Sequence, residues 1–118
     1  MDENELIAIV KDIQASPTEC EWVEIKHNNE EPQSIGEYVS ALANGAAYMG
    51  QSRGYMAWGL DNDTHQIIGT KFNPKTKKIG NEELENWIAQ GLSPRIDFSF
   101  QEVSFPEGRA VIMLVDSA

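Results

Sequence analysis

The stretch Tyr55-Met-Ala-Trp-Gly-Leu60 is an almost entirely apolar run, which favours a buried strand because it is too short for a helix. Before it, Ser34-Ile-Gly-Glu37 has the spacing of a capping box, and the residues that follow, to about Tyr48, place apolar side chains on one helical stripe. Further upstream, residues 21–27 alternate between apolar and polar side chains, as a strand does. Strand, helix and strand in this order predict a right-handed crossover between two parallel strands.

The other elements follow from the same periodicities. Their order predicts an α+β fold with a single mixed β-sheet and helices packed on it, in which a β-α-β-β-α-β-β core follows an N-terminal helix. The remaining predicted elements are a helix at 3–15, a short strand at 66–70, a lysine-bearing loop at 72–80, a helix capped by Asn81 and closed by Pro94, a strand around 96–100, a turn at 106–108 and a strand at 110–115.

Ten side chains on the inner faces of these elements are predicted to form the core. The three tryptophans are also interpreted as core aromatics, with base stacking by Trp22 as the alternative for that residue. The predicted core consists of Val23, Ile25, Leu42, Tyr55, Ala57, Ile88, Phe98, Phe100, Ile112 and Leu114.

The length of 118 residues fits one domain, residues 1–118. The single cysteine cannot form an internal disulfide, and no Cys/His cluster indicates zinc. The apolar runs are too short to span a membrane, and the acidic N-terminus differs from a secretory signal, so a cytoplasmic location is expected.

Charge is unevenly distributed along the chain. The net charge is −10, but residues 38–80 carry five bases against two acids. An acidic protein is a poor general ligand for phosphate backbones, because affinity for nucleic acid depends largely on counterions displaced by basic side chains. Only a local basic surface is therefore expected, formed by Lys71, Lys75, Lys77 and Lys78 with Arg53. The alternative is a solvated loop whose charges serve solubility.

Glu24 and Lys26 lie two residues apart in the predicted first strand, so both side chains face the same side of the sheet. One interpretation is a solvated surface ion pair, which contributes little to stability. The other is a carboxylate available for a metal ion, with the lysine directed at a phosphate. The pattern alone leaves both interpretations open.

Six motifs occur in a fixed order along the chain: VEIK (23–26), SALAN (40–44), GYMAWGLDND (54–63), IIGT (67–70), LSPR (92–95) and VIMLV (111–115). Together they resemble the Schlafen-type AlbA-like domain family. The resemblance covers residues 19–115, and it depends on the order of the motifs more than on any one of them.

The resemblance implies an AlbA-like fold and the function of a DNA-binding domain in a bacterial transcriptional regulator. It also implies that such a domain stands at the N-terminus of a longer protein and acts beside downstream domains. Some animal Schlafen proteins cleave RNA with a metal held by three carboxylates, and Glu19, Glu24 and Asp61 occupy the matching positions. The link from Gly45 to Arg53 is longer here than in the family pattern.

Three functions are therefore expected as alternatives. The first is a nucleic-acid-binding module that needs no cofactor, with phosphate contacts from Arg53 and the four lysines and with Lys26 at the edge. The second is a nuclease in which Glu19, Glu24 and Asp61 hold Mg²⁺ or Mn²⁺ and Lys26 assists. The third is a protein-interaction module, for example a homodimer formed through a sheet edge.

Overall fold

The computed structural model of the protein describes residues 2–16, 20–92 and 95–118. Helices and strands alternate along the chain much as the periodicities predict. The elements are α1 (Glu3–Ala15), β1 (Val23–Lys26), α2 (Pro32–Tyr48), β2 (Arg53–Trp58), β3 (Lys78–Ile79), β4 (Glu82–Glu83), α3 (Leu84–Gln90), β5 (Phe98–Phe105) and β6 (Gly108–Asp116). None of the described helices is long and apolar enough to cross a membrane.

The main sheet has the strand order β1-β2-β6-β5. β1 and β2 are parallel, with Val23 beside Tyr55 and Lys26 beside Trp58. β6 lies between β2 and β5 and is antiparallel to both. The mixed sheet and the parallel pair joined by α2 are therefore confirmed.

Helices cover both faces of this sheet. α1 packs on one face, where Val23, Ile25 and Ala57 are buried. α2 and α3 pack on the other face, over Trp58 and Phe100. Eight of the ten predicted core residues are buried, and the other two, Tyr55 and Phe98, are partly buried against the same clusters.

α2 approaches the start of β1 very closely at Gly45. A Cβ atom at that position would lie 1.9 Å from the backbone oxygen of Glu21, so only glycine fits. A second close approach occurs where Gly54 of β2 meets Leu42, at 2.9 Å from an added Cβ. These contacts fix the position of the crossover helix against the parallel strands.

The strand predicted at 66–70 is wrong. In this part of the chain the structure shows only an isolated bridge between Leu60 and Ile67. Gly59, His65 and Gly69 have φ values of +94°, +62° and +85°, which break the extended backbone that a strand needs. The N–H of Thr70 instead donates to the backbone oxygen of Arg109, so the segment follows β6 irregularly.

The two predicted helix caps are also wrong. α2 begins at Pro32, and the carboxylate of Glu31 accepts hydrogen bonds from the N–H groups of Gln33 and Ser34. These bonds hold the pKa of Glu31 below its usual value. Asn81 does not cap α3, because it lies in the turn of a small hairpin formed by β3 and β4.

Candidate nucleic-acid interface

Residues 71–78, which we call the lysine loop, are anchored to the core by an aromatic side chain. Phe72 is fully buried, with its ring centroid 4.8 Å from that of Trp58 and 6.0 Å from that of Phe100. Pro74 is buried as well. The backbone oxygen of Asn73 accepts from two N–H groups further along the loop, which closes a turn. The loop therefore has a fixed place on the α2/α3 side of the sheet.

Arg109 of β6 fastens the beginning of the lysine loop to the sheet. Its guanidinium donates to the backbone oxygens of Thr70 and Phe72 and also binds the carboxylate of Glu102 on β5. Arg109 is not among the site residues predicted from the sequence. The sequence did carry a signal for it: a charged residue stands at the start of an otherwise apolar strand, where a partly buried charge needs partners.

The four lysines of the loop differ in their partners. The ammonium groups of Lys75 and Lys77 lie 3.1 Å from the carboxylates of Glu85 and Glu30, respectively. Lys71 and Lys78 are exposed, and neither forms an ion pair with any residue that the structure describes. Lys71 and Lys78 can thus bind an external anion without first leaving an acidic side chain.

Arg53 does not lie with the lysine loop. It begins β2, whereas the loop follows the far end of that strand, and β2 is about 17 Å long at ~3.3 Å per residue. Its guanidinium is 4.0 Å from the carboxylate of Asp116, at the limit of an ion pair. The predicted basic residues therefore form two separate groups on the surface.

Glu24 and Lys26 do face the same side of β1, as their spacing predicts. The Lys26 ammonium lies 3.1 Å from the Glu24 carboxylate, and the Glu24 side chain is only 14% exposed. The hydrogen bond that the ammonium donates to the Glu24 carboxylate raises the pKa of Lys26. The lysine also lies 5.6 Å from the centre of the Tyr38 ring. The pair is more shielded than a surface ion pair in open solvent.

Asp61 shapes the turn after β2. Its carboxylate accepts hydrogen bonds of 2.9 Å from the N–H groups of Asp63 and Thr64, and these bonds lower the pKa of Asp61. Glu19 lies outside the described residues. Among residues 2–16, 20–92 and 95–118, no three His, Cys, Asp or Glu side chains are arranged to hold a metal ion. The three-carboxylate metal site stays a prediction.

Comparison with known proteins gives a family and a structural neighbour. The family model described as Schlafen, AlbA_2 matches residues 19–118. The solution NMR structure of the N-terminal domain of a RecG-related protein from Nitrosomonas europaea is similar, with a TM-score of 0.58 and 19% sequence identity. The alignment covers 94% of this chain and 72% of that one, and at this identity it shows the fold alone. No curated protein matches the chain in sequence.

Proposed function

The chain belongs to the Schlafen AlbA_2 family, and we propose that it is a nucleic-acid-binding domain. In its finer form the proposal is the DNA-binding domain of a bacterial transcriptional regulator, acting beside further domains of the same polypeptide. The structural neighbour supports the general class, since it is named for its relation to the ATP-dependent DNA helicase RecG.

The lysine loop is the observation that carries this proposal. Residues 71–81 contain four lysines and no acid, in a chain of net charge −10. Phe72 and Arg109 fix the loop in place, so its charges are presented without a large ordering cost on binding. Such contacts position a phosphate backbone and do not read its sequence.

Lys71 and Lys78 are expected to be the first phosphate contacts, because they need not leave an acid partner. Lys75 and Lys77 can contribute only by exchanging Glu85 or Glu30 for a phosphate. Such an exchange contributes less binding free energy than a phosphate contact from an unpaired lysine, since one ion pair replaces another. The surrounding acids keep the total affinity low.

Replacing both Lys71 and Lys78 by glutamine is expected to weaken binding at low salt. The slope of log affinity against log salt should flatten by about 2 for duplex DNA, or about 1.4 for a single strand, since each phosphate contact contributes slightly less than one unit. Fluorescence anisotropy of labelled duplex DNA, single-stranded DNA and RNA at several salt concentrations measures this slope. The melting temperature should hardly change, because both side chains are exposed.

Two control variants separate a contact surface from an effect of total charge. Lys11→Gln removes one exposed lysine on α1, across the sheet from the loop, and should leave the slope unchanged. Lys75→Gln with Lys77→Gln removes two charges from the loop itself and should flatten the slope by less than the first pair. Wild-type protein that binds none of the three nucleic acids at 50 mM salt or below, or binds without salt dependence, contradicts the proposal.

A metal-dependent nuclease is the second candidate, and one observation favours it. The Glu24 carboxylate lies in a shielded position on β1, and the Lys26 ammonium 3.1 Å away would have to release it in order to bind a phosphate. A metal held by Glu19, Glu24 and Asp61 would activate water and offset charge on the phosphate.

If the protein is a nuclease, Mg²⁺ or Mn²⁺ should induce cleavage of end-labelled single-stranded RNA, and EDTA should prevent it. Glu24→Gln and Asp61→Asn should abolish cleavage, and Asp61→Asn keeps the side-chain oxygen that closes the turn. Glu21→Gln, an exposed acid three residues from Glu24, should cleave normally. Intact RNA in every metal condition would exclude this candidate.

A further inference from the structure

A pocket of about 270 Å³ lies between α1 and the first residues of the parallel strands. Its floor is apolar and is formed by Ile9 and Ile13 of α1 and by Val23 of β1. Two aromatic side chains, Trp22 and Tyr55, line it at the level where β1 and β2 begin to pair. This pocket lies on the opposite face of the sheet from the lysine loop.

Two polar side chains, Asp12 and Gln51, complete the lining of this pocket. Both residues are exposed, and neither side chain has a hydrogen-bond or ion-pair partner within residues 2–16, 20–92 and 95–118. The rings of Trp22 and Tyr55 likewise contact no other ring in the described part of the chain. The pocket therefore offers two polar side chains without partners among the described residues, beside two aromatic side chains that are only partly buried against the α1-side core.

The residues that line the pocket favour one class of ligand, a planar ring that carries N–H donors. Aromatic side chains beside an apolar floor suit a planar ring, and stacking on such side chains is how unpaired bases are commonly bound. The Asp12 carboxylate can only accept hydrogen bonds and repels phosphate, so the ring must present N–H donors to it. The Gln51 amide can both donate and accept. A nucleobase is a planar ring of this kind.

Arg53 supplies a place for the phosphate of the same nucleotide. It precedes Tyr55 by two residues on β2, so the two side chains face the same side of the sheet about 7 Å apart. Its side chain is 41% exposed, and its contact with Asp116 at 4.0 Å is weak. To bind a phosphate beside the pocket, the guanidinium would exchange this weak contact with Asp116 for the phosphate.

We propose that this pocket binds one unstacked nucleobase, guanine in preference to the others, with the adjoining phosphate on Arg53. Guanine has two neighbouring N–H donors on its Watson–Crick edge, which match the two oxygens of one carboxylate. The single N–H of uracil lies between two carbonyl oxygens, which the carboxylate repels. The inference rests on the proposed nucleic-acid function for its biological ligand, and it implies binding of a single strand.

The test is titration of ¹⁵N-labelled protein with nucleoside monophosphates, observed at the tryptophan indole N–H signals. Trp22→Phe identifies the signal of Trp22. Guanosine monophosphate should shift that signal and leave the signal of the buried Trp58 in place. Its affinity should exceed that of uridine monophosphate by about 10-fold, because hydrogen bonds to a charged group discriminate by at least that factor. Ribose 5-phosphate, which has no base, should leave the signal unmoved.

Variants assign the parts of the site. Asp12→Asn should remove the preference for guanine, whereas Glu3→Gln, an acid on the opposite side of the same helix, should not. Arg53→Gln should weaken the binding of guanosine monophosphate and leave the binding of guanosine, which has no phosphate, unchanged. Equal affinity for guanosine and uridine monophosphates, or a preference for guanine that survives Asp12→Asn, overturns the inference.

Failure of this inference and failure of the proposed function can be told apart. If oligonucleotides bind but guanosine monophosphate does not move the Trp22 signal, the pocket is not a base site and the proposed function stands. If guanosine monophosphate binds as described but no oligonucleotide binds at low salt, the proposed function fails and the pocket is a site for free nucleotides.

Discussion

Replacing Trp58 by alanine is expected to lower the free energy of unfolding by about 3–5 kcal/mol, because the lost transfer energy and the resulting cavity add. Trp58 is fully buried, and its ring packs against those of Phe72 and Phe100. Its indole N–H donates to the backbone oxygen of Asn29. The substitution thus also removes a hydrogen bond that holds the segment between β1 and α2 in place. The midpoint of chemical denaturation measures the loss.

Trp87→Ala is the matched control for this prediction. The sequence places Trp87 on the inner face of its helix, but the structure leaves it partly buried, beside a groove of about 450 Å³ between α2 and α3. We therefore expect Trp87→Ala to lower the free energy of unfolding clearly less than Trp58→Ala does. Equal losses for the two variants would contradict the different burial of these side chains.

Replacing Gly45 by alanine is expected to destabilise the protein by about 3 kcal/mol, at the upper end of the usual cost of overpacking. The added Cβ would lie 1.9 Å from the Glu21 oxygen, which is a backbone atom and cannot turn aside. α2 would have to move away from β1, and the contact of the two elements would loosen. Thermal and chemical denaturation report this change.

Gly36→Ala is its control within the same helix. Apart from the adjoining residues and backbone of its own helix, nothing lies within 4 Å of a Cβ built at Gly36, so alanine fits there without displacement. The higher helix propensity of alanine should then stabilise the protein by about 0.5–1 kcal/mol. Effects of the same sign at the two positions would show that helix propensity, and not the contact with Glu21, determines the outcome at Gly45.

The sequence was most informative where a pattern is local. The alternation in residues 21–27 and the apolar run of residues 55–60 predict the parallel pair and the shared face of Glu24 and Lys26, because a strand has a strict period of two. The segment from Gly59 to Asn81 was predicted poorly. The path of this segment depends on the contacts of Arg109 and on the burial of Phe72, and a periodic pattern in the sequence does not predict such tertiary contacts. The β3–β4 hairpin did have a signal, since Gly80-Asn81 is a favoured two-residue turn.

The candidate site shows the same limit. Composition identified the lysine loop, but not that Lys77 pairs with Glu30, which lies 47 residues away in sequence. Similarly, nothing in the local sequence places Asp12 of α1 beside Trp22 and Tyr55, because α1 reaches them only through packing on the sheet. A residue type is visible in the sequence, while its partners are set by tertiary structure.

The position of β6 has a consequence for synthesis of the chain. β6 is the last strand of the sheet in sequence order, yet it lies in the middle and pairs with both β2 and β5. On the ribosome, β1 and β2 can pair once both have emerged, but β5 has no partner in the sheet until β6 has emerged to join it to β2. Before then β2 and β5 expose unpaired backbone groups to other nascent chains. A ribosome-bound chain that stops before Gly108 should therefore be sensitive to protease, and one in which an added unstructured linker carries Ala118 out of the exit tunnel should be resistant.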